Sequence, residues 1–191
     1  MIIGITGGTG CGKTTLLKAI EARGGMVLDC DAIYHELLRS DREMLAAIEA
    51  RFPGVIDEGV LNRKKLGAIV FAEEAALLDL NRITHGAVKK EVLRRLETNP
   101  KHAAIDAIGL FEGGLAELCD VTVAVTAPVE DRVKRLMARD GISEEYARSR
   151  IAAQHDAQWF QARCSHVLEN DSNLDAFATK CLAFLDTMGI M

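Results

Sequence analysis

The stretch Gly7-Gly8-Thr9-Gly10-Cys11-Gly12-Lys13-Thr14 constrains what this chain can fold into more than any other. It satisfies every fixed position of the pattern G-x-x-x-x-G-K-[ST]. It lies between an apolar run, Ile2-Ile3-Gly4-Ile5, and a helical pattern that opens at Thr15-Leu16-Leu17-Lys18. Strand, glycine-rich turn and helix start, in that order, form a phosphate cradle. The glycines let the backbone curl so that consecutive amides face phosphate oxygens, and the helix adds its positive end. Lys13 is expected to reach the β- and γ-phosphates of a nucleoside triphosphate, and the Thr14 hydroxyl to ligate Mg²⁺. Gly8, Gly10, Cys11 and Gly12, with Thr15 and Leu16 in the first helical turn, complete the expected nucleotide-binding set. Cys11 itself has two readings: an inert stand-in for serine, or a thiol that oxidation or alkylation reaches unless nucleotide covers it.

A chain of 191 residues, 49% of them hydrophobic, can build one sizeable core with an inserted subdomain. A net charge of -5 with no block of like charge argues against a protein that coats nucleic acid, and the expected partners are small molecules. The five cysteines are odd in number and lack C-x-x-C spacing, so they suggest neither a disulfide framework nor a zinc site. That usage fits a reducing compartment. The first residues lack the charged start of a signal peptide, and no apolar run approaches the ~18 residues of a membrane span. The expectation is a soluble, cytoplasmic protein without nucleic-acid or membrane partners; its oligomeric state is left open.

Ile2 to Thr6 reads as a buried strand, Thr14 to about Ala22 as a helix closed by Gly24-Gly25, and Met26 to Asp29 as a second strand. A right-handed crossover makes the strands parallel, which brings Asp29 or Asp31 to the edge that carries the phosphate loop. Asp31 can cap the helix expected at Ala32 to Leu38, act on the reacting hydroxyl, or do both. His35 is read equally as a structural histidine or a ligand contact.

Ser40 to Pro100 predicts helices and no clear strand: Asp41 to Phe52, a helix capped by Asn62 that runs to about Phe71, and Glu73 to about Glu97. So much helix between two strands exceeds what a crossover needs and suggests an inserted substrate-binding subdomain. His102 to Asp106 returns to strand, Gly109 to Leu118 is expected as a short helix carrying Glu112, and Val121 to Val125 as a strand buried on both faces. Helices from Pro128 to about Arg139 and from Ser143 to about His155, a strand at His166 to Glu169 and a closing helix at Leu174 to Leu185 follow.

Between residues 132 and 150 six basic side chains (Arg132, Lys134, Arg135, Arg139, Arg148, Arg150) face three acidic ones. They read either as two solvated helices or as a mobile lid whose arginines close over transferring phosphate. A GTPase-type switch has Asp106-Ala107-Ile108-Gly109 in its favour as a D-x-x-G match, but no N-K-x-D motif accompanies it.

Beyond the loop, several segments together resemble dephospho-coenzyme A kinases. Gly4 to Thr14 is similar to that family's G-L-T-G-G-I-G-S-G-K-S, and Asp29-Cys30-Asp31 with His35-Glu36-Leu37 to its D-A-D-x-x-x-H-x-L. Asn62-Arg63, Leu66-Gly67 and Val70-Phe71 resemble N-R-x-x-L-G-x-x-V-F, and Leu80-Asn81-Arg82-Ile83-Thr84-His85 resembles L-N-x-I-T-H. Leu110-Phe111-Glu112 matches L-L-F-E in its last three positions; Arg139-Asp140-Gly141, Arg150-Ile151 and Gln154 follow the lid pattern, and Asn170 ends the last strand as V-I-x-N does. The chain departs from the family in having Gly86 for proline, Ile108-Gly109 for proline-leucine, Phe160 for lysine and Cys164-Ser165 for alanine-aspartate.

The resemblance implies an α/β phosphate-loop kinase fold over residues 1–191, with a five-stranded parallel sheet flanked by helices. A helical substrate-binding insertion is expected at about 40–100 and a lid at about 139–163. It implies that ATP, with Mg²⁺, phosphorylates the ribose 3′-hydroxyl of dephospho-coenzyme A in the last step of coenzyme A synthesis. Lys13, Asp31 and Arg139 would be catalytic, Arg150 would join the nucleotide site, and Asp31, His35, Asn62 and His85 would meet the acceptor. A kinase for a nucleoside or nucleoside monophosphate is the alternative within this fold.

Overall fold

The apolar run at the start of the chain becomes β1 (Ile2–Thr6), the phosphate loop follows it, and Lys13 opens α1 (Lys13–Ala22), which leads to β2 (Met26–Asp29). In the computed structural model, which describes residues 1–190, the next stretch holds α2 (Cys30–Ser40), α3 (Arg42–Arg51), a hairpin of β3 (Ile56–Asp57) and β4 (Val60–Leu61), α4 (Arg63–Val70) and α5 (Glu74–Leu96). The chain then returns through β5 (Ala103–Asp106), a 3₁₀ turn at Ala116–Leu118, β6 (Val121–Thr126), α6 (Val129–Asp140), α7 (Glu144–Ala152), α8 (Ala157–Gln161), β7 (His166–Glu169) and α9 (Leu174–Thr187). Two units result: Met1–Leu28 with the chain from Asn99 onward, and Asp29–Thr98. No helix among the described residues is long and apolar enough to cross a membrane.

The first unit is a five-stranded sheet in the order β2-β5-β1-β6-β7. β1 lies between β5 and β6 and runs parallel to both, with Ile5 opposite Asp106 on one side and Val123 on the other. Its apolar residues do not alternate with polar ones because both faces are covered. Ile3, Ile5, Val123 and Val125 pack in one core with Leu16 and Ile20 of α1 and Phe177, Cys181 and Leu185 of α9. Because the strands are parallel, Thr6, Asp106, Thr126 and Glu169 all end at the edge from which the phosphate loop springs.

In the second unit α5 packs against α2, α3 and α4. Ile33, Leu37, Met44, Ile48, Phe52, Leu66, Val70, Val88 and Val92 are among its buried apolar residues. Side-chain caps set three of the helix starts: Asp29 for α2, Asp41 for α3 and Asn62 for α4.

Four expectations need correction. The hairpin at β3 and β4 stands where no strand was expected; Glu58 and Gly59 turn it with φ of 51° and 82°, the left-handed pair that a two-residue hairpin loop requires. Gly109 to Leu118 is not a helix: turns run from Gly109 to Leu115, Gly114 leaves helical space at φ 64°, and only a 3₁₀ turn follows. The helix begun at Ser143 stops at Ala152, and a separate α8, capped by Asp156, follows. Finally, α2 starts at Cys30, so its cap is Asp29, whose carboxylate accepts the Ala32 N–H at 2.9 Å, and not Asp31.

Candidate active site

The phosphate loop is held open by its glycines at two decisive points. Gly7, at φ 134°, passes so close to β6 that an added Cβ would lie 2.1 Å from the Val125 carbonyl oxygen. Gly12 takes the left-handed conformation at φ 98° as the residue before α1, and there Asn170 Nδ2 would meet its Cβ at 2.3 Å. The Lys13 ammonium arches back over the loop and donates to the Gly7 carbonyl at 2.9 Å. Thr14 stands exposed in the first turn of α1, with Thr15 partly buried beside it. Leu16 is fully buried in the core, which withdraws its side chain from a nucleotide. Cys11 is 3% exposed and packs in the same core, which removes the basis for reading it as an accessible, oxidisable thiol.

From its outer side the loop is gripped by four side chains. Arg132 donates through Nε to the Thr9 carbonyl at 2.9 Å and through Nη2 to Gln154 Oε1 at 3.2 Å, and Gln154 Oε1 also accepts the Thr9 N–H at 2.8 Å. Arg135 donates to the carbonyls of Gly10 at 3.2 Å and Cys11 at 3.5 Å and to Asn170 Oδ1 at 3.2 Å. Asn170 completes the ring by donating to the Cys11 carbonyl at 2.9 Å. These contacts fix the carbonyls of Thr9, Gly10 and Cys11, and with them the Thr9 amide, in one arrangement of the loop. Gln154 and Asn170 stood in the sequence only as family motif positions, and Arg132 and Arg135 only as members of a basic run. Their one-turn spacing on α6 was the visible signal.

Two further arginines of that run, Arg139 and Arg150, turn elsewhere. Arg139 grips Asp140 through two hydrogen bonds of 2.7 and 2.9 Å, and Arg150 donates to the same carboxylate at 2.8 Å. The Arg139 bond, with Arg150 behind it, holds the Asp140 carboxyl at about 2, against an ordinary value near 4. Arg148 bridges Glu130 and Glu144, and Val133 and Leu136 of α6 pack on Ala147 and Ile151 of α7 beneath these pairs. The trailing end of the segment is fastened by aromatic contacts. His155 stacks on Trp159 at 3.8 Å and faces Glu112 Oε1 at 3.0 Å, while Arg163 covers the Trp159 ring at 4.0 Å. Phe160, in the place of the family's lysine, is 2% exposed, and its helix α8 packs on β6. Ser165 exchanges three hydrogen bonds with Thr122, so it ties the start of β7 to β6.

Asp106, which a D-x-x-G reading assigns to a switch, ends β5 in register with Ile5, one residue short of the point where β1 gives way to the loop. A carboxylate at this sheet edge is where phosphate-loop enzymes hold their metal.

In the second unit, Asp31 is exposed in the first turn of α2, and its carboxylate takes no hydrogen bond among the described residues. One turn on, His35 Nδ1 lies 3.3 Å from Arg63 Nη2. Burial pushes the neighbouring Tyr34 phenol up, with the Arg63 charge acting the other way. Asn62 has both ends of its amide engaged: Oδ1 accepts the Lys65 N–H at 3.0 Å, and Nδ2 donates to Asp57 at 2.7 Å. It thereby caps α4 at the turn that carries Arg63. His85 is partly buried on α5.

Comparison with known proteins agrees with this geometry. A family model described as dephospho-CoA kinase matches residues 1–176. The dephospho-CoA kinase of Thermobifida fusca is 36% identical over 182 residues, which cover 91% of this chain and 90% of the relative. That of Moorella thermoacetica is 37% identical over 182 residues and covers 92% and 86%. Among solved structures, a Thermus thermophilus protein superposes with a TM-score of 0.81 at 32% identity over 98% of this chain and 97% of its own. Dephospho-CoA kinase from Campylobacter jejuni (TM-score 0.69, 23% identity, covering 100% and 98%) and shikimate kinase from Bacteroides thetaiotaomicron (0.58, 15%, 99% and 98%) share the fold. With the family's pattern matched across its length and the phosphate loop intact, this chain belongs to the dephospho-CoA kinase family.

Proposed function

We infer that this kinase transfers the γ-phosphoryl group of ATP to the ribose 3′-hydroxyl of dephospho-coenzyme A, releasing coenzyme A and ADP. The observation that carries the reading is the family match over residues 1–176, which takes in both the phosphate loop and the acceptor-side motifs. The loop amides and Lys13 bind the β- and γ-phosphates. Asp31 orients the attacking hydroxyl and takes up its proton; because the transition state is loose, orientation contributes more than early proton removal. Arg139 and Arg150 supply cations to the transferring group from the lid at 139–163, exchanging Asp140 for phosphate oxygens. His35 on α2 and His85 within an insertion at about 40–100 bind the acceptor, and Asn62 serves it through the cap that sets Arg63. Mg²⁺ suits the donors at hand: the Thr14 hydroxyl and the Asp106 carboxylate are hard oxygen ligands of the kind it prefers. When bound, it neutralises charge on the β- and γ-phosphates. Cysteines that form no disulfide support a cytoplasmic setting.

ADP release measured against dephospho-coenzyme A, uridine, nucleoside monophosphates and shikimate tests the reading. The expected kcat/KM for dephospho-coenzyme A exceeds that of every other acceptor by at least about a hundredfold, the discrimination that a site built to hydrogen-bond its substrate provides. Equal or better turnover of any other acceptor overturns it.

A further inference from the structure

Arg132 is 5% exposed, and among the described residues its guanidinium pairs with no carboxylate. Its partners are a loop carbonyl and a neutral amide. Burying a cation without a counter-ion is unfavourable, and proteins seldom retain such a group unless something it serves brings the missing negative charge. Arg135, beside it on α6, likewise rests on carbonyls and the Asn170 amide. Two guanidiniums thus hold the phosphate loop through its carbonyls at Thr9, Gly10 and Cys11.

Gly8 adds an independent observation. Its φ is not in the left-handed region, so its backbone conformation would accept any residue. An added Cβ would nevertheless lie 2.2 Å from Arg132 Nη2, 2.8 Å from its Cζ and 3.1 Å from Gln154 Oε1. The glycine is therefore there to let the guanidinium pass. The same guanidinium joins the loop to Gln154, two residues beyond the end of α7, so one buried fork ties the phosphate loop to the trailing end of the lid helix.

We propose that Arg132 is a positioning residue of the nucleotide site: wedged against Gly8, it sets the phosphate loop against the lid segment, and the phosphates of ATP supply the counter-charge it lacks. The proposal rests on reading Gly7 to Thr14 as the nucleotide loop. Arg132 needs to touch no substrate atom for this, since its hydrogen bonds fix the loop and its charge acts through it.

The test is steady-state kinetics on Arg132→Gln, Arg132→Lys, Gly8→Ala and the double variant Gly8→Ala/Arg132→Gln, with Lys13→Ala alongside and each fold checked by circular dichroism. ATP affinity is followed in parallel by fluorescence of Trp159, the single tryptophan, which sits beside the Gln154 junction. Arg132→Gln should raise KM for ATP about tenfold, as loss of a charged hydrogen-bond donor does, and leave KM for dephospho-coenzyme A within about twofold. Arg132→Lys, which keeps the charge, should recover most of that loss. Gly8→Ala should lose at least about thirtyfold in kcat/KM for ATP, and the shorter glutamine in the double variant should restore it to within about threefold of Arg132→Gln alone. An unchanged KM for ATP in Arg132→Gln, a Gly8→Ala enzyme with native kinetics, or a double variant showing the product of the single losses would each overturn the proposal. If Arg132→Gln does not fold, Gly8→Ala and Arg132→Lys decide by the same criteria. Native kinetics in Lys13→Ala would instead refute the loop reading itself, whereas a disabled Lys13→Ala beside a native Arg132→Gln would refute this proposal alone.

Discussion

Asp29 and Asp31 stand two residues apart, carry the same carboxylate and have different work. Asp29 spends its oxygen on the Ala32 amide at 2.9 Å and starts α2. Asp31, in the first turn of the helix and exposed, is the residue proposed to meet the reacting hydroxyl. Substitution should separate the two. Asp31→Asn and Lys13→Ala should each lower kcat on the order of a hundredfold or more while leaving the melting temperature near native. Asp29→Ala should instead cost about 1 kcal/mol of stability, the usual worth of such a cap, with a much smaller effect on rate. Stopped-flow ADP release and thermal denaturation on the same preparations check both, and a near-native rate for Asp31→Asn would remove its role. The sequence showed the pair but not the division of labour, because the start of a helix moves by two residues without any change in its apolar period.

Elements here are fastened by ion pairs whose titration can be followed. The Arg94 hydrogen bond, with Arg95 adding to it, holds the Glu91 carboxyl at about 2, and Asp140 is held at about 2 by Arg139 and Arg150. Both carboxyls are therefore depressed in the folded chain. The stability they contribute is complete above their ordinary values near 4 and is lost as pH falls through the folded values near 2. Urea midpoints should hold steady in this respect from pH 7 to 5 and decline from pH 4 to 2, and the double variant Glu91→Gln/Asp140→Asn should show a shallower decline. An acid limb of native steepness in that variant would contradict the assignment.

Elements were also where the sequence was most legible. Asn62, read as a cap, and Asp41 and Ser143, read as helix starts, all cap helices in the structure, and the apolar runs at Ile2 and Val121 are strands. What escaped notice is short or depends on distant parts of the chain. Two-residue strands at β3 and β4 leave no alternation to read, and five-residue α8 shows less than two turns of period. That Arg132 points inward while Arg139 and Arg150 point at Asp140 is decided by the packing of α6 on α7 and by the loop carbonyls, none of which is local to those residues.

At the scale of the whole molecule, the chain allots its chemistry by unit. The phosphate loop, its arginine brace and Asp106 belong to the sheet unit, and Asp31, His35, Asn62 and His85 to the helical one. A kinase assembled this way owes its regiochemistry to the residues that hold the acceptor, since the phosphate loop is common to enzymes with different acceptors. The product is therefore the most direct witness. With ATP, Mg²⁺ and dephospho-coenzyme A, phosphorus-proton correlated NMR of the purified reaction should show one new phosphomonoester coupled to the ribose 3′ proton, formed in step with ADP. A phosphate on any other hydroxyl, or ADP formed without a phosphorylated acceptor, would contradict the account.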